Sequence, residues 1–98
     1  MSPLIYAAAL GEYTLVEFLI EHYKASVHSK DKFKRSALIM AIKNGHLDVA
    51  KLLLKHGSDF NDKDINENTP LHYAASAGRI DCIELLISLK VDIIAKNN

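Results

Sequence analysis

Apolar residues recur along the chain with helical spacing, in three copies of one pattern. In the first segment of each copy they fall at i, i+3 and i+4, which predicts one face of a helix. These positions are Leu4, Ala7 and Ala8, then Leu38, Ala41 and Ile42, then Leu71, Ala74 and Ala75. Because the three sets lie 34 and 33 residues apart, the chain is predicted to repeat one structural unit.

Each of these first helices has a predicted start and end. A hydroxyl residue that can accept a hydrogen bond from a free helical N–H precedes each helix. These residues are Ser2, Ser36 and Thr69, and proline follows the first and the last of them, where it favours the first turn. A glycine that can adopt the left-handed conformation closes each helix, at positions 11, 45 and 78.

A second helix with a wide apolar stripe follows in each copy. The predicted core positions are Leu15, Phe18 and Leu19, then Val49, Leu52 and Leu53, then Cys82, Leu85 and Leu86. A stripe of this width fits a helix that packs on its partner helix and on the neighbouring copies. Polar stretches such as residues 57–64 separate the copies and are predicted to form projecting hairpin loops.

The signature Thr-Pro-Leu-His-x-Ala of the ankyrin repeat is matched in full by residues 69–74 and in part twice more. Residues 45–61 also resemble the second helix and loop of that family. The resemblance implies an all-α fold, an ankyrin-repeat solenoid of stacked helix-turn-helix units with projecting hairpin loops. We expect a single domain over residues 1–98, with repeats at about 1–30, 31–63 and 64–98.

Three departures from the family pattern concern glycine positions. Lys34 and Glu67 replace the hairpin glycine, and Lys90 stands where the second repeat has Gly57. A left-handed backbone at a non-glycine residue costs about 1 kcal/mol or more. We expect the loops around 23–26 and 89–92 to depart most from the family. We also expect the array to continue after Asn98, and the pattern leaves room for further repeats before Ser2, because Val16, Ile20 and Ile87 are typical of faces that further repeats cover.

Composition and charge exclude several classes of function. The 12 basic and 12 acidic residues balance, so the chain lacks the basic excess of proteins that bind nucleic acid or anionic membranes. No apolar run approaches the ~20 residues that a membrane span needs, so we expect no membrane insertion. The single cysteine, Cys82, excludes an internal disulfide and favours an intracellular location, in the cytoplasm or the nucleus.

Catalytic chemistry is not predicted. The resemblance gives His72 a structural role in hydrogen bonding, and Cys82 lies on the predicted core stripe. The other histidines fit no metal-ligand spacing, and no phosphate-binding loop is present. We therefore expect a protein that is not an enzyme and has no metal, cofactor or small-molecule substrate.

The resemblance implies a partner protein bound on the concave face, which hairpin tips and the exposed side of the first helices form. Mapped onto this sequence, the face comprises Lys30, Lys32, Phe33, Arg35, Lys43, Asn44, Lys63, Ile65, Asn66, Asn68, Ser76 and Ala77. Because five of these positions are basic and none is acidic, whereas the acids cluster on the second helices, we expect an acidic partner. The alternative is a structural spacer segment within a larger ankyrin protein whose activity lies elsewhere.

Overall fold

The computed structural model describes residues 2–97, with side chains described for residues 2–90, and it confirms the all-α class. Within this range six helices follow one another in three pairs. Their bounds are α1 (Pro3–Leu10), α2 (Tyr13–His22), α3 (Ala37–Lys43), α4 (Leu47–Lys55), α5 (Pro70–Ala77) and α6 (Ile80–Asn97). We call the pairs α1/α2, α3/α4 and α5/α6 repeats 1, 2 and 3.

The first helices begin where the sequence predicts, and α1 and α5 also end there, whereas α3 is capped by Asn44, one residue ahead of the predicted Gly45. Ser2, Ser36 and Thr69 have extended backbones, and each hydroxyl accepts a hydrogen bond from an amide in the first turn. The backbone N–H of Thr69 donates in return to Nδ1 of His72, at 2.9 Å, which completes a capping box. Gly11 and Gly78 close α1 and α5 with left-handed φ values of 74° and 69°.

The first helices pack side by side with α3 in the middle. Leu38, Ile39 and Ile42 of this helix are completely buried. One repeat position carries alanine in all three repeats, and this side chain is buried each time, at Ala7, Ala41 and Ala74. A small side chain at the contact lets neighbouring helix axes approach closely. The core is therefore continuous across all three repeats.

The predicted core stripe of the second helices is only partly correct. Val49, Leu53, Cys82 and Leu86 are buried as predicted. Leu15 and Phe18 of α2 are almost half exposed, so the prediction is wrong for these two residues. The equivalent residues of α4 are covered by repeat 1, whereas no repeat among the described residues precedes repeat 1 to cover α2. Val16, predicted to need a further repeat, is already fully buried.

The loops contain three non-glycine residues with positive φ. Lys34 and Glu67 have φ values of 60° and 65°, which confirms that they occupy left-handed positions. Lys24 adopts 53° in the first inter-repeat loop. Helix α6 continues through Lys90, where the sequence predicted a loop. Lys96 occupies the repeat position of Lys30 and Lys63, so the sequence predicts that the three align, but the side chain of Lys96 lies outside the described residues.

Replacing Lys34 or Glu67 by glycine is expected to raise the free energy of unfolding. Removing left-handed strain gains about 1 kcal/mol at each site, less the entropy that glycine adds to the unfolded chain. Urea unfolding measures the change. The matched control is Asn66→Gly, next to Glu67 and without positive φ, which should lose about 0.4–1 kcal/mol. An equal loss of unfolding free energy in all three glycine variants would contradict the assignment of backbone strain to Lys34 and Glu67.

Gly11→Ala is expected to destabilise the chain more than Gly78→Ala, although both residues have similar φ. A Cβ on Gly11 would lie 2.5 Å from the His46 ring of the next repeat, whereas a Cβ on Gly78 meets no described atom within 4 Å. Both variants lose about 1 kcal/mol to backbone strain. Gly11→Ala also displaces His46 from the Ala9 carbonyl, a further loss of about 0.5–1.5 kcal/mol. If urea unfolding gives the same loss of unfolding free energy for Gly11→Ala and Gly78→Ala, His46 moves freely away from the new Cβ.

Candidate functional site

Two loops project from the boundaries between repeats, and we call residues 30–36 hairpin 1 and residues 63–69 hairpin 2. An antiparallel bridge between Lys30 and Ser36 closes hairpin 1. Ser36 and Thr69 are also the caps of α3 and α5, so each hairpin leads directly into a first helix. The position of the hairpins is therefore fixed by the packing of these helices.

Asp31 organises hairpin 1, and its side chain is only 4% exposed. One carboxylate oxygen of Asp31 accepts hydrogen bonds from the amides of Phe33 (2.9 Å) and Arg35 (2.8 Å), and the other pairs with Arg35 Nε at 2.8 Å. Burial acts to raise the pKa of Asp31, but these hydrogen bonds and the Arg35 charge outweigh it and lower the pKa. The turn is thus held by its own side chains, and Arg35 is committed to an ion pair.

Asp64 has the same role in hairpin 2. Its carboxylate accepts hydrogen bonds from the amides of Asn66 and Asn68 and from the Tyr73 hydroxyl of α5. The Tyr73 hydrogen bond is the main cause that lowers the pKa of Asp64 to about 2, against the opposing effect of burial. Burial and the Asp64 carboxylate together raise the pKa of Tyr73 to about 12. Hairpin 2 is therefore anchored to its helix.

The hairpins are also joined to each other. The amide of Ile65 donates to the carbonyl of Phe33 at 2.9 Å. Lys30 Nζ, at the start of hairpin 1, pairs with Asp62 Oδ1, just ahead of hairpin 2, at 2.8 Å. Two hairpins linked by a backbone hydrogen bond and an ion pair form one surface.

Phe33 stands at the tip of this surface and is 45% exposed. Lys32 Nζ lies 5.2 Å and Arg35 Cζ 5.0 Å from the centre of its ring, within the range of cation–π attraction. A cavity of about 240 Å³ is lined by Asp31, Lys32, Phe33 and Arg35. The tip thus combines an aromatic surface, two cations and a recess.

The remaining predicted site residues fall into two groups. At hairpin 2, Lys63, Ile65 and Asn66 are exposed, whereas Asn68 is half-buried against Asp64. The others, Lys43, Asn44, Ser76 and Ala77, are exposed at the carboxyl ends of α3 and α5. That end lies roughly 10 Å along the helix axis from the hairpins. The structure therefore gathers Phe33, its cations and Ile65 at one end of the predicted face, and places the second group at the other.

Sequence reasoning missed a cavity at the outer side of repeat 1. It has a volume of about 360 Å³, and its lining includes Pro3, Leu4, Leu19 and Tyr23. The signal was present, because Leu4 and Leu19 occupy the repeat positions of the buried residues Leu38 and Leu53. Periodicity assigns both positions to the core, yet only Leu4 is buried, whereas Leu19 is half-buried and borders the cavity.

The environments of Cys82 and His72 favour a structural role for both residues over a catalytic one. Burial, with the neighbouring Asp81, raises the pKa of the Cys82 thiol, which disfavours the reactive thiolate. His72 is exposed and completes the cap of its own helix. No cluster of three or more possible metal ligands occurs among the described side chains. None of the described helices is long and apolar enough to span a membrane.

Comparison with known proteins finds ankyrin repeats. Residues 2–97 match the family model for ankyrin repeats, in three copies. A putative ankyrin repeat protein of Fowlpox virus, FPV024, is 37% identical over 81 residues, which are 82% of this chain and 13% of the viral protein. Protein phosphatase 1 regulatory subunit 27 of Mus musculus is 36% identical over 88 residues, which are 90% of this chain and 57% of that subunit.

A third relative, alpha-latrocrustotoxin-Lt1a of Latrodectus tredecimguttatus, is 34% identical over 77 residues. These residues are 79% of this chain and 5% of the toxin. The chain therefore spans less than two thirds of the length of each of these relatives.

The Asp64–Tyr73 hydrogen bond is expected to make stability depend on pH in acid. The folded state lowers the pKa of Asp64 from 3.8 to about 2, so this stabilisation is complete above the unfolded pKa and is lost as pH falls through that interval. Tyr73→Phe should lower stability at neutral pH and flatten the loss in acid. Urea unfolding at a series of pH values measures both, with Tyr13→Phe on exposed α2 as control. An unchanged pH profile for Tyr73→Phe would contradict the assignment.

Proposed function

Because the chain belongs to the ankyrin-repeat family, whose repeats generally mediate protein–protein interaction and are typically non-catalytic, we propose that it is a protein-binding scaffold. The partner binds the concave face, which hairpins 1 and 2 form together with the exposed side of the first helices. Phe33 at the tip of hairpin 1 is the anchor of this contact.

The single observation that carries the proposal is the environment of Phe33. An exposed aromatic ring beside a recess, flanked by Lys32 and Arg35, has the composition of an interface hot spot. Its hairpin is held by Asp31 and by the hydrogen bond to hairpin 2. Binding to a surface ordered in advance loses little conformational entropy. Phe33 is therefore well placed to receive an apolar residue of the partner.

The charges around Phe33 favour an acidic partner. Within the hairpins the acids Asp31 and Asp64 accept hydrogen bonds from their own turns, and Asp62, just ahead of hairpin 2, pairs with Lys30. Three lysines remain exposed on the hairpins, at positions 32, 34 and 63, against the exposed Glu67. Exposed acids lie on the second helices instead, at Glu21, Asp48, Asp81 and Glu84. This separation steers a negatively charged surface to the hairpins.

A spacer role is the second candidate, because the chain spans only 5% and 13% of two relatives. In a protein of that kind these repeats would orient other domains, and the activity would lie elsewhere. The free, buried thiol of Cys82 suits a reducing compartment, so we propose a cytoplasmic location for either role.

Panning a phage-displayed library of random peptides on the whole chain tests the proposal. Enriched peptides should carry aspartate or glutamate around one apolar residue. Phe33→Ala should weaken their binding by about tenfold or more, as at a hot spot. Phe18→Ala is the matched control, because Phe18 is equally exposed but lies on α2. The association rate should fall as salt rises, since exposed charges act at long range.

Several outcomes would contradict the proposal. Peptides without a charge bias, or an association rate independent of salt, would refute the acidic partner. Equal losses for Phe33→Ala and Phe18→Ala would remove Phe33 as the anchor. A library that yields no specific peptide would favour the spacer.

A further inference from the structure

Asn44 and Gly45 form the one Asn-Gly pair in the sequence. Asn44 is exposed and caps the end of α3, and Gly45 follows it with a φ of 79°. The equivalent pairs in repeats 1 and 3 are Leu10-Gly11 and Ala77-Gly78, and neither of them carries a side-chain amide. The pair therefore occurs in repeat 2 alone.

An asparagine that precedes a glycine can lose its side-chain amide without an enzyme. The backbone nitrogen of Gly45 attacks Cγ of Asn44, and the bond between Cγ and Nδ2 breaks. Nδ2 leaves as ammonia with the proton of the Gly45 amide, and a five-membered cyclic imide remains. Glycine favours this closure because it has no Cβ to crowd the attacking nitrogen. Water then adds to either imide carbonyl and opens the ring, which leaves aspartate or isoaspartate at position 44.

The folded chain holds the pair in a geometry that does not allow this ring to close. A planar ring needs the Gly45 nitrogen to eclipse Cβ of Asn44. With a ψ of 5° at Asn44, the Gly45 nitrogen eclipses the backbone nitrogen of Asn44 instead. The Gly45 amide also donates to the carbonyl of Ile42 at 3.1 Å. The end of α3 must therefore open before the reaction can start.

The Asn44 amide is itself part of the contact between repeats 1 and 2. Its Nδ2 donates to the carbonyl of Ala9 at 3.0 Å, and Nε2 of His46 lies 3.1 Å from the same oxygen. This carbonyl belongs to the last turn of α1, where the helix itself provides no donor. Two donors from repeat 2 thus occupy the two lone pairs of the Ala9 oxygen.

We propose that Asn44 is a site of spontaneous deamidation, and that the contact between repeats 1 and 2 sets the rate of the reaction. While the Ala9 carbonyl holds the Asn44 amide, the side chain is kept away from the Gly45 nitrogen. Each opening of this contact frees the pair. The converted fraction therefore grows with the time that the contact spends open.

The product cannot restore the contact. A carboxylate at position 44 has no hydrogen to donate to the Ala9 carbonyl. It also places a negative charge at the carboxyl ends of α1 and α3, where the helix dipole disfavours it. Deamidation therefore weakens the packing of repeat 1 on repeat 2, and the concave face gains a negative charge beside Lys43.

Peptide mapping by mass spectrometry tests the proposal on the whole chain, incubated at physiological temperature and mildly alkaline pH. Asn44 should slowly gain one dalton. Asn61, Asn66 and Asn68 are internal controls and should stay unchanged, because a residue with a side chain follows each of them. In guanidinium chloride, where the contact is open throughout, Asn44 should react about tenfold faster or more.

Two variants separate the contact from the chemistry of the pair. His46→Ala removes the second donor to the Ala9 carbonyl and should speed the reaction of the folded chain roughly two- to tenfold. His56→Ala, at the cap of α4, is the matched control and should leave the rate unchanged. In guanidinium chloride both variants should react at the rate of the unmodified chain. Circular dichroism confirms that each variant keeps its helices in buffer.

Asn44→Asp supplies the product directly and should lower the urea midpoint of unfolding. Asn66→Asp is the matched control, because it adds the same charge on exposed hairpin 2, where the Asn66 side chain donates no hydrogen bond to a described residue. Its midpoint should fall less than that of Asn44→Asp. Equal shifts would contradict a role of the Asn44 amide in the contact.

Three further results would overturn the proposal. These are an Asn44 that gains no mass in the unfolded chain, equal rates in the folded and the unfolded chain, and a His46→Ala variant that reacts no faster than His56→Ala. All of these measurements are made without a partner. A failure to bind acidic peptides would therefore contradict the proposed function alone.

Discussion

The structure depends on one constraint, which is that a single pair of short helices cannot bury its own apolar surface. Helix α3 shows the solution, since Leu38, Ile39 and Ile42 are completely buried between repeats 1 and 3. The alanine shared by the three first helices allows this packing in register. The end repeats satisfy the constraint on one side only, as the exposed Leu15 and Ile80 show.

The order of the hairpins follows from the same packing. Each hairpin ends at the cap of a first helix, so helices that pack side by side bring their hairpins side by side. The Ile65 amide can reach the Phe33 carbonyl only while repeats 2 and 3 are stacked. Asp31 and Asp64 fix the shape of each turn. The proposed binding surface is thus assembled from loops that no sheet supports within the described residues.

Local rules and a fixed repeat made much of the fold predictable from the sequence. The caps at Ser36 and Thr69 and the left-handed conformation of Lys34 and Glu67 follow from residue type and register alone. Helix α6 continues past Lys90 because lysine adopts the left-handed conformation that ends a helix less readily than glycine, which is present at the equivalent position 57.

The candidate site was less predictable, because it depends on distances between segments far apart in sequence. Composition counts Lys30 and Arg35 among the basic residues of the concave face, yet Asp62 and Asp31 neutralise both. Periodicity likewise assigns Phe18 to the core, because it reports which positions are apolar and not whether a neighbour covers them. Which cations are paired and which apolar residues of repeat 1 are exposed became visible only in three dimensions.

The central claim is that stacking of the repeats holds the hairpins as one ordered surface, and hydrogen exchange of the Ile65 amide tests it most directly. If the claim is correct, this amide is protected and exchanges only when repeats 2 and 3 separate, so a destabilising substitution in the buried contact between α3 and α5 speeds its exchange. Two results would show that the hairpins move independently of the stack. One is an Ile65 amide that exchanges at the rate of an unstructured amide, and the other is an exchange rate that the substitution leaves unchanged.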